Sequence, residues 1–140
     1  MDAAATARHG ALDRYAPLAQ TLGLVVILFG LSFLLPLAVS HALGDGAEAA
    51  YDEAIAINVA AGAGLWLVSR KRGGELALRD GFLLVVLAWA GLAGFATLPL
   101  LLYIDGPSFT DAYFETVSAM TTTGATTLTG LDRLPPSINL

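Results

Sequence analysis

Between Tyr15 and Ala42 the only side chain that can gain charge near neutral pH is His41, and Pro17 to Ser40 is overwhelmingly apolar. At about 1.5 Å rise per residue this run exceeds the ~20 residues needed to cross ~30 Å of hydrocarbon. It predicts a first transmembrane helix, kinked near its far end by Pro36. A signal peptide competes, because Arg8 and Arg14 precede the run and Ala38-Val39-Ser40 resembles a cleavage site. Signal cores are usually only ~7–15 residues, which favours the span.

The second run, Ala54 to Ser69, is apolar apart from Asn58 and Ser69 and is short for a crossing. Extending it back through Tyr51 brings Asp52 and Glu53 to the water interface. Ala60-Ala61-Gly62-Ala63-Gly64 gives it a small-residue face that lets another helix approach closely. Gly81 to Ile104 has no charged residue and predicts a third span. Its Ala90-xxx-Gly94 pair offers a second close-packing surface, Trp89 falls mid-run as a packing residue, and Tyr103 suits an interfacial anchor.

After the turn Asp105-Gly106-Pro107-Ser108 the pattern changes. Apolar residues at 109, 112–114, 117 and 119–120 predict an amphipathic helix over Phe109 to Met120. Ser108 or Thr110 can cap it, and Asp111 falls in its first turn, where the helix dipole favours an acid. Twelve residues give about 18 Å, roughly half a bilayer. Such a helix ends at membrane mid-depth, and Thr121 to Thr127 would return as extended backbone.

Charge orients the layout. Arg70, Lys71, Arg72 and Arg79 link the second and third runs, and Arg8 and Arg14 precede the first, so six of the seven basic residues share one side. The link between the first two runs carries Asp45, Glu48, Asp52 and Glu53 and no basic residue. The positive-inside rule then predicts a cytoplasmic amino terminus and an outward-facing end of the third run.

Composition agrees with a membrane protein. The 140 residues are 56% hydrophobic and only 14% charged, against about a quarter charged in a soluble domain; mean hydropathy is +0.68. The absence of cysteine removes disulfides and thiolate chemistry. A net charge of −5 without a basic block excludes nucleic acid as an expected partner. His9 and His41 lack the spacing of a metal site and read as loop or interface residues. No nucleophile–base set is visible, so an enzyme is not expected.

The remaining candidate chemistry is Thr121-Thr122-Thr123-Gly124-Ala125-Thr126. Non-helical backbone at membrane depth is tolerated only inside protein or along a wet cavity. A dehydrated alkali cation can satisfy its carbonyls, Gly124 gives conformational freedom, and the C-terminal end of the preceding helix supplies partial negative charge.

Asp111-Ala112-Tyr113-Phe114-Glu115 followed by Ser118-Ala119-Met120-Thr121-Thr122-Thr123-Gly124-Ala125-Thr126 resembles the first pore loop of the TrkH/KtrB potassium-uptake proteins, within the Trk/Ktr/HKT superfamily. Leu128 to Ser137 is similar to the segment that leads toward the next helix. The resemblance implies four helix–pore–helix units around one potassium path. It places main-chain oxygens of Thr122, Thr123, Gly124 and Ala125 on K⁺, with Thr121 at the filter's inner entrance. Ala125 and Thr126 stand where potassium-channel filters have Tyr-Gly, which implies looser selectivity. Asp111 and Glu115 are candidates for structure or mouth electrostatics, with a structural role favoured for Glu115.

The expected fold is therefore an all-α integral membrane protein with three transmembrane helices, a re-entrant pore half-helix and an extended selectivity-filter loop. Residues 1–14 form a cytoplasmic amino terminus, 15–72 a leading two-helix hairpin, and 80–140 a first pore unit lacking its second helix. The expected function is K⁺ uptake across the cell (inner) membrane as the amino-terminal part of a TrkH-type transporter. One pore loop supplies a quarter of a coordination ring, so the other units are expected partners, with the lipid bilayer. The resemblance further implies a homodimer and a cytoplasmic nucleotide-binding regulatory subunit. The alternatives are a small membrane protein acting by helix–helix association without a pore, or an inactive truncated fragment.

Overall fold

The computed structural model describes residues 3–71, 77–130 and 133–139, with side chains from Tyr15 onward. The expectations resting on Arg8, His9, Arg14, Arg72, Leu131 and Asp132 side chains lie outside the described residues. Five helices follow one another: α1 (Ala3–Ser32), α2 (Leu34–Leu43), α3 (Glu48–Ser69), α4 (Leu78–Tyr103) and α5 (Phe109–Met120). No strand occurs among the described residues.

The first apolar run is helical throughout but divided. Pro36 has no N–H to offer the carbonyl of Ser32, so the break falls one turn upstream of it, at Phe33. There the Phe33 amide turns to Gly30 at 3.2 Å, and Ser32 Oγ donates to the Phe29 carbonyl at 2.6 Å. Pro36 itself lies in the first turn of α2, where its missing donor costs little. The helix also starts well before the apolar run, at Ala3.

Among the described residues, two segments are long and apolar enough to cross a membrane, Tyr15–Leu43 and Leu78–Tyr103. The second matches the third predicted run with its start moved to Leu78, where the Asp80 carboxylate accepts the Ala77 amide at 3.3 Å. The second predicted run, α3, has 22 residues but keeps Asp52 and Glu53 exposed in its early turns.

The most extensive helix pair is α1 with α3. A Cβ on Gly62 would lie 2.6 Å from the Gly23 carbonyl oxygen, and one on Gly23 would lie 2.7 Å from that of Gly62. Neither helix can place a side chain here, so the two backbones touch. Further along, Gly30 packs on Asn58, whose side chain is fully buried and donates to the Ala54 carbonyl at 2.8 Å. Gly64, on the same predicted small-residue face, meets nothing within 4 Å. The face is therefore narrower than the sequence suggests, and α1 occupies it.

Candidate ion-coordinating loop

Helix α5 begins with a reciprocal cap. Ser108 Oγ accepts the Asp111 amide at 3.2 Å, and the Asp111 carboxylate accepts the Ser108 amide at 3.1 Å. Of the two predicted caps, Ser108 is the one used, and Asp111 acts with it as a structural acid. The buried face of α5 carries Ala112, Thr116 and Ser118. Two side chains fix it to α4 through carbonyls that already serve the α4 helix: Tyr113 Oη donates to Ala90 at 3.2 Å, and Thr116 Oγ1 to Ala93 at 3.1 Å. The Tyr113 ring packs beside Gly94, its nearest carbon 4.0 Å from where a Cβ would be, which is ordinary contact distance. Trp89 was expected as a packing residue; it is instead 52% exposed, beside a cavity of about 160 Å³ that it lines with Tyr113, Val117 and Thr121.

The end of α5 determines the loop. The Thr122 amide donates to Ala119 at 3.0 Å and the Thr123 amide to Ser118 at 2.9 Å. This pair of bonds is the Schellman closure, whose first residue beyond the cap must be left-handed. That residue is Thr122, with φ +55°. Glycine normally fills this position, and a β-branched residue there costs roughly 1–2 kcal/mol. Gly124 follows at φ +72°, so left-handed residues stand at alternate positions across the loop.

Chain reversal at these two positions leaves acceptors without partners. Among the described residues, no hydrogen bond ends on the carbonyl oxygens of Thr122, Thr123, Gly124 or Ala125. Thr121 is the helix cap, and its Oγ1 donates back to the Val117 carbonyl at 2.8 Å while lying 2.8 Å from Thr123 Oγ1. Thr121 to Thr127 are all exposed.

The return of the loop is held by Glu115. Its Oε1 accepts Thr126 Oγ1 at 2.8 Å, Thr127 Oγ1 at 3.1 Å, the Leu128 amide at 3.1 Å and the Thr127 amide at 2.5 Å. One carboxylate oxygen thus collects four donors from three consecutive residues, and charge-assisted bonds of this kind are stronger than neutral ones. The structural role favoured for Glu115 is what this geometry provides. The left-handed Thr122 went unforeseen in the sequence, although Thr-Thr-Thr directly after a helix, with glycine two places late, is its signal.

Residues 48–140 match the TrkH family, described as cation transport proteins. The chain belongs to that family. The chain is 42% identical over 126 residues to the Trk system potassium uptake protein TrkH of Escherichia coli (strain K12), covering 89% of this chain and 26% of that one. It is 34% identical over 116 residues to the Trk system potassium uptake protein TrkG of the same strain, covering 81% and 24%. The crystal structure of the potassium transporter TrkH from Vibrio parahaemolyticus superposes with a TM-score of 0.81 at 39% identity, over 89% of this chain and 27% of that one. The chain therefore spans about a quarter of the length of these relatives.

Proposed function

We propose that this TrkH chain contributes one quarter of a K⁺ pathway, with the Thr122, Thr123, Gly124 and Ala125 carbonyls as ion ligands and Thr121 at the inner entrance. The observation that carries the reading is the row of unpartnered carbonyls beyond a capped half-length helix. In hydrocarbon such groups would each cost several kcal/mol, and a dehydrated K⁺ supplies what they lack. The ion is cargo, and no covalent chemistry is involved.

In this reading α1–α2, α3 and α4 cross the membrane and α5 re-enters halfway. Although α3 is less apolar, its 22 residues reach about 33 Å, and Asp52 and Glu53 lie at the water edge. The amino terminus and the 70–80 link are cytoplasmic, and the 44–47 link and the mouth of the loop face outward. The membrane is the cell (inner) membrane. Three further units complete the ring; a second copy and a nucleotide-binding regulatory subunit are further partners by family likeness. Of the two small-residue faces on which the pore-free alternative rests, Gly62 is already filled by Gly23, while Gly64 and Gly91 meet nothing within 4 Å.

The test is a chimera in which residues 1–140 replace the matching quarter of the Escherichia coli relative, assayed for rubidium uptake in cells lacking their own potassium uptake. Gly124 has open space around it, so Gly124→Val acts through backbone conformation alone. Uptake should be abolished at unchanged membrane abundance. Undiminished uptake would remove the loop from the ion path.

A further inference from the structure

A second polar cluster lies away from the loop, where α2 passes into α3. The Asp45 carboxylate accepts Ser40 Oγ, the Ala47 amide at 3.3 Å and, across 92 positions of sequence, the Ser137 amide at 3.1 Å. Tyr51 Oη donates to the Ser137 carbonyl at 2.7 Å. Ser40, Tyr51 and Ser137 are all buried. Both long-range bonds grip Ser137 by its main chain, so they fix where the backbone is and ignore which side chain it bears. The Ser137 hydroxyl itself is buried without a partner.

The gripped residue belongs to a stiff piece of chain. Pro135 and Pro136 restrict φ, and the Ile138 and Asn139 amides both turn back to the Pro135 carbonyl, at 3.0 and 3.3 Å. Leu134, Ile138 and Asn139 of this turn line a cavity of about 260 Å³ together with Glu115 and Leu128. Those are the two residues joined where the loop returns from the filter. A shift of the turn therefore reshapes the cavity that the loop's return borders.

We propose that the leading α1–α3 hairpin is an outer brace for the filter, with Asp45 and Tyr51 as positioning residues that act through the Ser137 backbone on Glu115 and Leu128. This rests on the pore reading above. It gives the leading hairpin a part in ion discrimination although none of its residues reaches the ion. Hydrogen bonding keeps the Asp45 carboxylate ionised at neutral pH, so the brace is permanently engaged there.

The experiment uses the same chimera and measures rubidium uptake against sodium competition. Asp45→Ala and Tyr51→Phe should each lower discrimination roughly threefold or more, the scale of one hydrogen bond. Ser137→Ala keeps both main-chain bonds and should lose clearly less discrimination than Asp45→Ala. Combined with Glu115→Gln, Asp45→Ala should give less than the product of the separate effects, because the residues act through one unit. Because this chain lacks cysteine, Asn139→Cys reports the position of the turn by maleimide labelling in the unfused chain, and labelling should quicken with Asp45→Ala. If Asp45→Ala were poorly inserted, Tyr51→Phe, which deletes one hydroxyl, carries the test alone. Unchanged discrimination and labelling, with Gly124→Val still abolishing uptake, would overturn the brace and leave the pore standing. Indifference to Gly124→Val would overturn the pore reading, and the proposal with it. A Ser137→Ala defect as large as that of Asp45→Ala would also overturn the main-chain brace.

Discussion

Glu115 and Leu128 are thirteen positions apart in sequence and 3.1 Å apart in space, amide to carboxylate oxygen. That bond closes the loop carrying Thr121 to Thr127 into a hairpin tied at its base. Replacing Glu115 by alanine leaves the Thr127 amide without its acceptor and the Leu128 amide with Thr126 Oγ1 alone. Rubidium uptake by the chimera should fall about tenfold, equivalent to about 1.4 kcal/mol, with discrimination against sodium falling too. Glutamine retains one carbonyl acceptor and should recover part of the loss. Equal behaviour of Ala and Gln would argue against the hydrogen bonds as the cause.

Thr122 predicts an opposition between stability and function. Glycine relieves the left-handed strain, so Thr122→Gly should raise the thermal midpoint of the detergent-purified protein by the equivalent of about 1 kcal/mol. The same change frees the loop backbone, and discrimination among alkali cations should decline. A variant that gains stability and retains full selectivity would show that the strain serves no purpose in the filter.

The Gly23–Gly62 contact separates two neighbouring glycines. Gly62→Ala places a methyl within 3 Å of backbone atoms on α1 and should destabilise the protein by roughly 1–3 kcal/mol. Gly64→Ala enters open space and should be neutral or slightly stabilising, since alanine is the better helix former. Thermal unfolding of the two variants side by side decides between a specific backbone contact and a general demand for small residues.

Asp45 sets an acid limit. Burial acts to raise its pKa, but hydrogen bonds from Ser40, Ser137 and Ala47 prevail and lower it from 3.8 to about 2. A carboxyl depressed on folding contributes stability fully above its unfolded value and loses it as pH falls through the folded value. The contribution should therefore be constant above about pH 4 and disappear between about pH 4 and 2. Asp45→Asn should flatten that part of a stability-versus-pH curve and leave the neutral region without slope. An unchanged acid limb in the variant would assign the loss to other carboxylates.

What the sequence revealed followed the range of the forces involved. The bounds of α5, its cap and its first-turn acid were legible because capping and amphipathic periodicity act within four residues. The apolar run ending at Tyr103 was legible for the same reason. Pro36 announced a disturbance but not its position, since the carbonyl it leaves unpaired belongs to a residue four places earlier. Asp45 and Ser137 were invisible as a pair because nothing periodic relates positions 92 apart. Trp89 reads as a packing residue because it falls mid-run, yet it is half exposed, and in a membrane an indole can face lipid or another unit. Left-handed Thr122 contradicts its residue preference, and local preferences fail most often where function constrains the backbone.

The stretch matched to the family begins at Glu48, three residues after Asp45 and eight after Ser40. Tyr51 and Ser137 fall inside that stretch, and the carboxylate that also holds Ser137 falls outside it. A boundary drawn by likeness is thus not a boundary in the folded molecule. Anyone exchanging parts between relatives should splice before Ser40 rather than at Glu48. Otherwise the graft inherits a tyrosine and a receiving backbone from one parent, and from the other whichever residue stands at the position of Asp45.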